Sequence, residues 1–111
     1  MNVYDTANKL AQEIKLSNEY AEFKKSKEKI HSNVELENKI KEFEKIRYEV
    51  QISALQGKES NKEKEEQMQQ LYTELIAINE VKDYFDSEFK FNILLADVNK
   101  IIGESVKDIL N

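Results

Sequence analysis

The stretch SNVELENKIKEFEKIRYEVQISALQG, residues 32–57, determines the fold class of this 111-residue chain. Its apolar residues recur about every 3.5 positions, which is the spacing of one helix face. Ser32 and Glu35 fit a capping box, in which the two side chains satisfy free backbone amides at a helix start. Gly57 can supply the left-handed residue that ends the helix. The apolar face consists of Leu36, Ile40, Phe43, Ile46, Val50 and Ala54.

A second long helix is expected to run back along the first. Ser60 and Glu63 fit another capping box soon after Gly57, so the turn near residues 57–60 is short. Two long helices joined by a short turn are antiparallel neighbours, which predicts a helical hairpin over residues 32–79. The returning helix should face the outgoing one with Met68, Leu71, Tyr72, Leu75 and Ile78.

The flanking segments also read as helix. Residues 1–31 fit two short helices, with Ser17 as the N-cap of the second, and residues 80–111 fit a long apolar C-terminal helix. Two glycines and no proline are too few turn residues for a β-sandwich, a barrel or a doubly wound sheet. We predict an all-α fold: a single helical domain over residues 1–111, a bundle of about five helices that includes the hairpin.

Composition and charge exclude several classes of function. The chain has no cysteine, which excludes disulfides, thiolate metal sites and thiol redox chemistry. The net charge is −5, and neither half is basic: residues 1–56 carry ten basic and ten acidic side chains, and residues 57–111 carry seven and twelve. Direct nucleic-acid binding is therefore disfavoured. Without a leader-like opening or a long apolar run, we expect a cytoplasmic protein with no membrane contact.

The C-terminal helix is apolar around most of its circumference between Phe89 and Ile102. A helix of this kind is buried on two sides, and thin helices of a small chain have difficulty covering it. We expect it to pack on its own hairpin and on another subunit, giving a homodimer or larger oligomer; the alternative is that the first two helices cover it. Gly103 either lies within this helix or ends it. The predicted oligomer interface is Phe91, Leu94, Leu95, Val98, Ile101 and Ile102.

An acidic and aromatic region at the start of the C-terminal helix is the candidate partner surface. It comprises Asp83, Tyr84, Asp86 and Phe89. Acidic groups around aromatic side chains are typical of protein-binding surfaces. The alternative is a solvated polar stripe, because the carboxylates share one helix face.

One weak metal motif is present. Glu28 and His31 have the Glu-x-x-His spacing of di-iron bundles, but such a site needs the motif twice and His31 is the only histidine. An exposed histidine near a helix end is the simpler interpretation. No phosphate-binding glycine loop and no catalytic triad can be assembled, so we predict no enzyme activity, no metal and no cofactor.

In the order and spacing of its motifs the chain resembles the YlbF/YmcA family of small helical bacterial proteins. The motifs are Tyr4-Asp5-Thr6-Ala7 with Leu10, the segment 14–20 with Phe23-Lys24, Ile40-Lys41-Glu42-Phe43, Gly57-Lys58-Glu59, Leu71-Tyr72, and the segment 98–103. The resemblance implies self-association and regulatory adaptor work without catalysis. It further implies a complex with family paralogues that acts on RNase Y, and so on mRNA processing and development.

The resemblance does not imply an iron–sulfur cluster for this chain. Some members of the RNase Y complex have cysteines that hold it, and this chain has none. Membership in that branch of the family therefore stays open. The leading hypothesis is a cytoplasmic homo-oligomeric adaptor; the alternative is a chaperone-like or structural coiled-coil protein that clamps clients with its hairpin arms.

Overall fold

The computed structural model describes residues 2–57 and 62–110, and every regular element in those ranges is an α-helix. The prediction of an all-α fold is confirmed. Five long helices are followed by one short helix. They are α1 (Val3–Lys15), α2 (Asn18–His31), α3 (Val34–Leu55), α4 (Lys62–Ile76), α5 (Asn79–Ser105) and α6 (Lys107–Leu110).

The boundary between α1 and α2 is set by Ser17, as predicted. The Ser17 hydroxyl accepts a hydrogen bond from the backbone N–H of Tyr20 at 3.2 Å and donates one to the carbonyl of Ile14 at 2.6 Å. One side chain thus satisfies a free donor of α2 and a free acceptor of α1.

The predicted capping role of Ser32 is wrong. The N-cap of α3 is Asn33, whose Oδ1 accepts from the backbone N–H of Leu36 at 3.2 Å. The backbone N–H of Ser32 bonds the carbonyl of Glu28 at 3.0 Å, so the hydrogen bonding of α2 extends one residue beyond His31. Its hydroxyl instead donates to the carbonyl of Lys29 at 2.7 Å.

Of the two glycines, Gly57 follows the end of a helix and Gly103 lies inside one. Gly57 follows α3 with φ +69° and donates its N–H to the carbonyl of Ala54 at 3.2 Å, as the C-cap prediction requires. Ser60 of the second predicted capping box, and the predicted turn near residues 57–60 beyond Gly57, lie outside the described residues. Gly103 lies within α5, and the helix breaks three residues later at Val106, whose N–H bonds the Gly103 carbonyl.

Contacts group the chain into two compact units. The hairpin unit contains residues 28–83, and the terminal unit contains the described residues of 1–27 and 84–111. One domain over residues 1–111 stays a prediction.

In the hairpin unit, α3 and α4 are antiparallel. Phe43 of α3 contacts Tyr72 of α4 with ring centroids 5.6 Å apart, and Glu49 pairs with Lys64 at 2.6 Å. As the residue number rises along α3, that of its contact on α4 falls. Leu75, predicted to face α3, is only 1% exposed. The buried apolar residues of this unit are Ile30, Leu36, Ile40, Phe43, Ile46, Leu75 and Val81.

In the terminal unit, aromatic rings join α2 to α5. Phe23 contacts Tyr84 and Phe91 with centroids 5.8 and 5.7 Å apart, and Tyr20 meets Phe91 edge-on at 5.9 Å. Such pairs stabilise a packed interface beyond the area they bury. This cluster fixes which face of α5 points inward.

Candidate interaction surfaces

Helix α1 has an apolar face that is not buried. Its N-cap is well formed, because Asn2 Oδ1 accepts the backbone N–H of Asp5 at 2.9 Å. The helix is strongly amphipathic, yet none of its residues is buried: Val3 is 80% exposed, and Leu10 and Ile14 are half-buried. A helix of this pattern ordinarily covers a core with its apolar stripe. Here much of the stripe has no cover within the described chain.

The open face of α1 continues onto the end of α5. Asn2, Val3, Thr6, Ala7, Leu10 and Ile102 line one largely apolar groove. Ile101 and Ile102 are 71% and 52% exposed, and the apolar side chains of α6, Ile109 and Leu110, are exposed as well. We call the surface formed by α1 and the end of α5 the apolar end.

The residues predicted as the oligomer interface fall into two groups. Phe91, Leu94, Leu95 and Val98 are half-buried, and Phe91 is covered in part by Tyr20 and Phe23 of α2. Ile101 and Ile102 lie beyond this cover and belong to the apolar end. Helix α2 therefore covers α5 in part at Phe91, and the last turns of α5 are exposed. The role of all six in self-association stays a prediction.

The predicted partner surface is not one continuous set of exposed residues. Tyr84 is only 7% exposed and packs on Phe23, so it does not contribute a surface ring as expected. Asp83 is exposed within the hairpin unit. Asp86 and Phe89 are exposed on α5 in the terminal unit, with Phe89 at 67%.

Ile93 is the surface residue that the partner prediction missed. It is 44% exposed, lies one turn after Phe89, and lines a groove with Asn18, Glu19, Glu22 and Lys90. Helical spacing places Asp86, Phe89 and Ile93 on one face, because they are separated by three and four residues. Buried Ser87, whose hydroxyl donates to the Tyr84 carbonyl at 3.0 Å, marks the inward face. The spacing predicts that Ile93 shares a face with Phe89, whereas its exposure depends on how α2 packs.

His31 is hydrogen-bonded to a carboxylate. Its Nδ1 lies 2.6 Å from Oε2 of Glu37, whose other oxygen accepts from Lys41 Nζ at 3.2 Å. These hydrogen bonds, that of His31 first, lower the pKa of Glu37. The described residues contain no group of three or more histidine or carboxylate side chains arranged to hold a metal ion. The Glu28 and His31 motif thus gains no further ligand there.

Within residues 2–57 and 62–110, no helix is both long and apolar enough to cross a membrane.

Sequence comparison identifies relatives along nearly the whole chain. Residues 3–107 match the family described as control of competence regulator ComK, YlbF/YmcA. A UPF0342 protein of Symbiobacterium thermophilum is 41% identical over 104 residues, 94% of this chain and 93% of that protein. A UPF0342 protein of Caldicellulosiruptor saccharolyticus is 40% identical over 106 residues, 95% of this chain and 88% of that protein.

Solved structures share the fold. A protein of unknown function (DUF964) from Bacillus stearothermophilus has a TM-score of 0.82 at 16% identity and covers 96% of this chain and 94% of its own. Bacillus subtilis RicA, crystallised in complex with RicF, has a TM-score of 0.64 at 22% identity and covers 98% of this chain and 96% of its own. At these identities the likeness shows the fold alone.

Proposed function

The chain belongs to the YlbF/YmcA family, and from this premise we propose that it is a non-catalytic regulatory adaptor that acts through protein–protein contacts. The family description, control of a competence regulator, supports a regulatory role. The similar RicA, which was crystallised with RicF, is an example of this fold in a complex between proteins.

The observation that carries the proposal is the apolar end. An amphipathic helix without a buried residue, beside two exposed isoleucines of α5, leaves a face that water solvates poorly. Such faces mark sites of association in soluble proteins. An adaptor needs them, whereas a catalyst needs a pocket with convergent polar groups.

We propose a second copy of the chain as the occupant of the apolar end. Helix α1 carries two acidic residues, Asp5 and Glu13, and two basic residues, Lys9 and Lys15, so its net charge is zero. Most soluble oligomers are symmetric, and a two-fold interface brings the same face together twice. A balanced face can meet itself without like-charge repulsion, although the whole chain is at −5.

The finer functional proposal rests on the family resemblance. In this proposal the adaptor works in the cytoplasm together with a family paralogue, and it modulates RNase Y-dependent mRNA processing and developmental regulation. Affinity purification of the chain from its native cell tests it. Recovery of RNase Y or a paralogue supports the proposal, and its absence from a preparation that retains other specific proteins counts against it.

The client-clamp alternative has less support. Phe43 and Tyr72, and Glu49 and Lys64, contact each other directly across the hairpin, so a client could not enter between the arms along this part. A holdase would suppress aggregation of unrelated unfolded proteins. An adaptor would retain only one or two defined partners on a column.

Self-association is tested by light scattering coupled to size-exclusion chromatography. The monomer mass is 13.1 kDa, and the proposal expects a larger mass at micromolar concentration. Ile101→Glu is the informative variant: the side chain is exposed, so the helix should tolerate the charge while the interface does not.

A further inference from the structure

A second surface of the terminal unit lies on the outward face of α5, separate in sequence from the apolar end. Its centre is Phe89 and Ile93, two large apolar side chains one helical turn apart and 67% and 44% exposed. Single exposed apolar residues are ordinary, but two at this spacing form a ridge on a helix. We call it the Phe89–Ile93 ridge.

The charges around this ridge differ from those around the apolar end. Glu19, Glu22 and Lys90 line the groove beside Ile93. On α5, helical spacing places Asp86, Asp97 and Lys100 on the same face as the ridge. Four acidic and two basic residues give a net charge of −2, where α1 is neutral.

From this combination we propose that the Phe89–Ile93 ridge docks a basic amphipathic helix of a partner protein. Two apolar side chains of the partner, three or four residues apart, would pack along Phe89 and Ile93. Lysine or arginine residues beside them would face Glu19, Glu22, Asp86 and Asp97. This inference rests on the proposed adaptor function and names the chemistry of the partner.

The charge pattern disfavours other occupants. Nucleic acid and anionic lipid surfaces are negative and would be repelled by the acidic rim. A second copy that docked the same ridge on itself would bring two net negative surfaces together. A basic helix gains affinity from the apolar anchors and gains selectivity and association rate from the charges.

Two designed helical peptides test the proposal by fluorescence anisotropy with the full-length chain. Both carry leucine at positions i, i+4 and i+7; one has lysine on the flanks, and the other has glutamate at the same positions. We expect the lysine peptide to bind at least about tenfold more tightly, with affinity that falls as salt is raised.

Variants of surface residues test whether the lysine peptide binds at the ridge. Phe89→Ser should weaken binding of the lysine peptide about tenfold, and Glu22→Lys with Asp86→Lys should weaken it and reduce its salt dependence. Tyr48→Ser and Glu35→Lys are matched controls at exposed positions of the hairpin unit and should leave binding unchanged. Circular dichroism verifies that every variant is folded.

Several results would overturn the proposal. They are no binding of the lysine peptide, equal binding of the two peptides, or binding that Phe89→Ser leaves unchanged. Light scattering on the same samples separates this proposal from self-association. If Phe89→Ser lowers the mass of the assembly, the ridge is occupied by a second copy and the basic-partner proposal is wrong.

Discussion

The Nδ1 atom of His31 lies 2.6 Å from the Oε2 atom of Glu37, so the last residue of α2 is tied to the first turn of α3. The only histidine of the chain thus hydrogen-bonds a carboxylate of the next helix. Lys41, one turn further along α3, binds the same carboxylate.

The pKa of Glu37 should respond to removal of this histidine. His31 and Lys41 hold it below the ordinary value of 4.5, so it should rise in His31→Ala. A lowered carboxyl pKa contributes stability above the unfolded pKa, and this contribution is lost as the pH falls through the folded value. Carbon-detected NMR titration measures the midpoint. Glu49, whose pKa is lowered by Lys64, is the internal control and should not move.

The N-cap of α3 can be assigned by two neighbouring substitutions. Asn33→Ala should lower the free energy of unfolding by about 1 kcal/mol, because the amide of Leu36 loses its acceptor. Ser32→Ala removes a hydroxyl that only donates to the Lys29 carbonyl, and should cost less. Urea denaturation at fixed protein concentration measures both. A larger loss for Ser32→Ala would restore the capping box that the sequence suggested.

The sequence predicted the features that depend on local chemistry. Gly57, at φ +69°, and Ser17 were found because left-handed backbone and free helix amides each demand particular residue types. The sequence could not show that the N-cap of α3 is Asn33 and not Ser32, because both residue types cap helices well and the choice depends on how far α2 extends. Periodicity gave the faces of α3 and α4 for the same local reason.

Exposure was harder to predict because it depends on which helices meet. Tyr84 and Phe89 look alike in the sequence, yet Tyr84 packs on Phe23 and Phe89 does not share this cover. Ile93 lies in the apolar stretch between Phe89 and Ile102, but its place beside Glu19 and Glu22 depends on how α2 packs. The apolar stripe of α1 is typical of a helix that covers a core, so its exposure could not be predicted from the sequence.

The core of the hairpin unit should depend on Leu75. Its side chain is 1% exposed, so Leu75→Ala should lower the free energy of unfolding by about 2–5 kcal/mol through lost burial and a cavity. Leu55→Ala is the matched control, because Leu55 is 83% exposed and should change stability by no more than about 0.5 kcal/mol. Equal losses in urea denaturation would contradict the assigned core.

Substitution of the two glycines by alanine should change the stability of the protein in opposite directions. Gly57→Ala forces a side chain into the left-handed region and should cost about 1 kcal/mol. Gly103 lies within α5, and an added Cβ meets no atom within 4 Å, so Gly103→Ala should stabilise the helix by about 0.5–1 kcal/mol. Thermal unfolding of both variants at one protein concentration checks the signs. A destabilised Gly103→Ala would contradict the open, helical surroundings assigned to Gly103.

The central claim is that the apolar end is covered by a second copy of the chain. Light scattering coupled to size-exclusion chromatography tests it most directly, with the wild-type chain, Ile101→Glu and the control Tyr48→Glu measured across micromolar concentrations. We predict a mass above 13.1 kDa for the wild type and the control, and a folded species of monomer mass for Ile101→Glu. A wild-type chain that stays at 13.1 kDa throughout would contradict the claim.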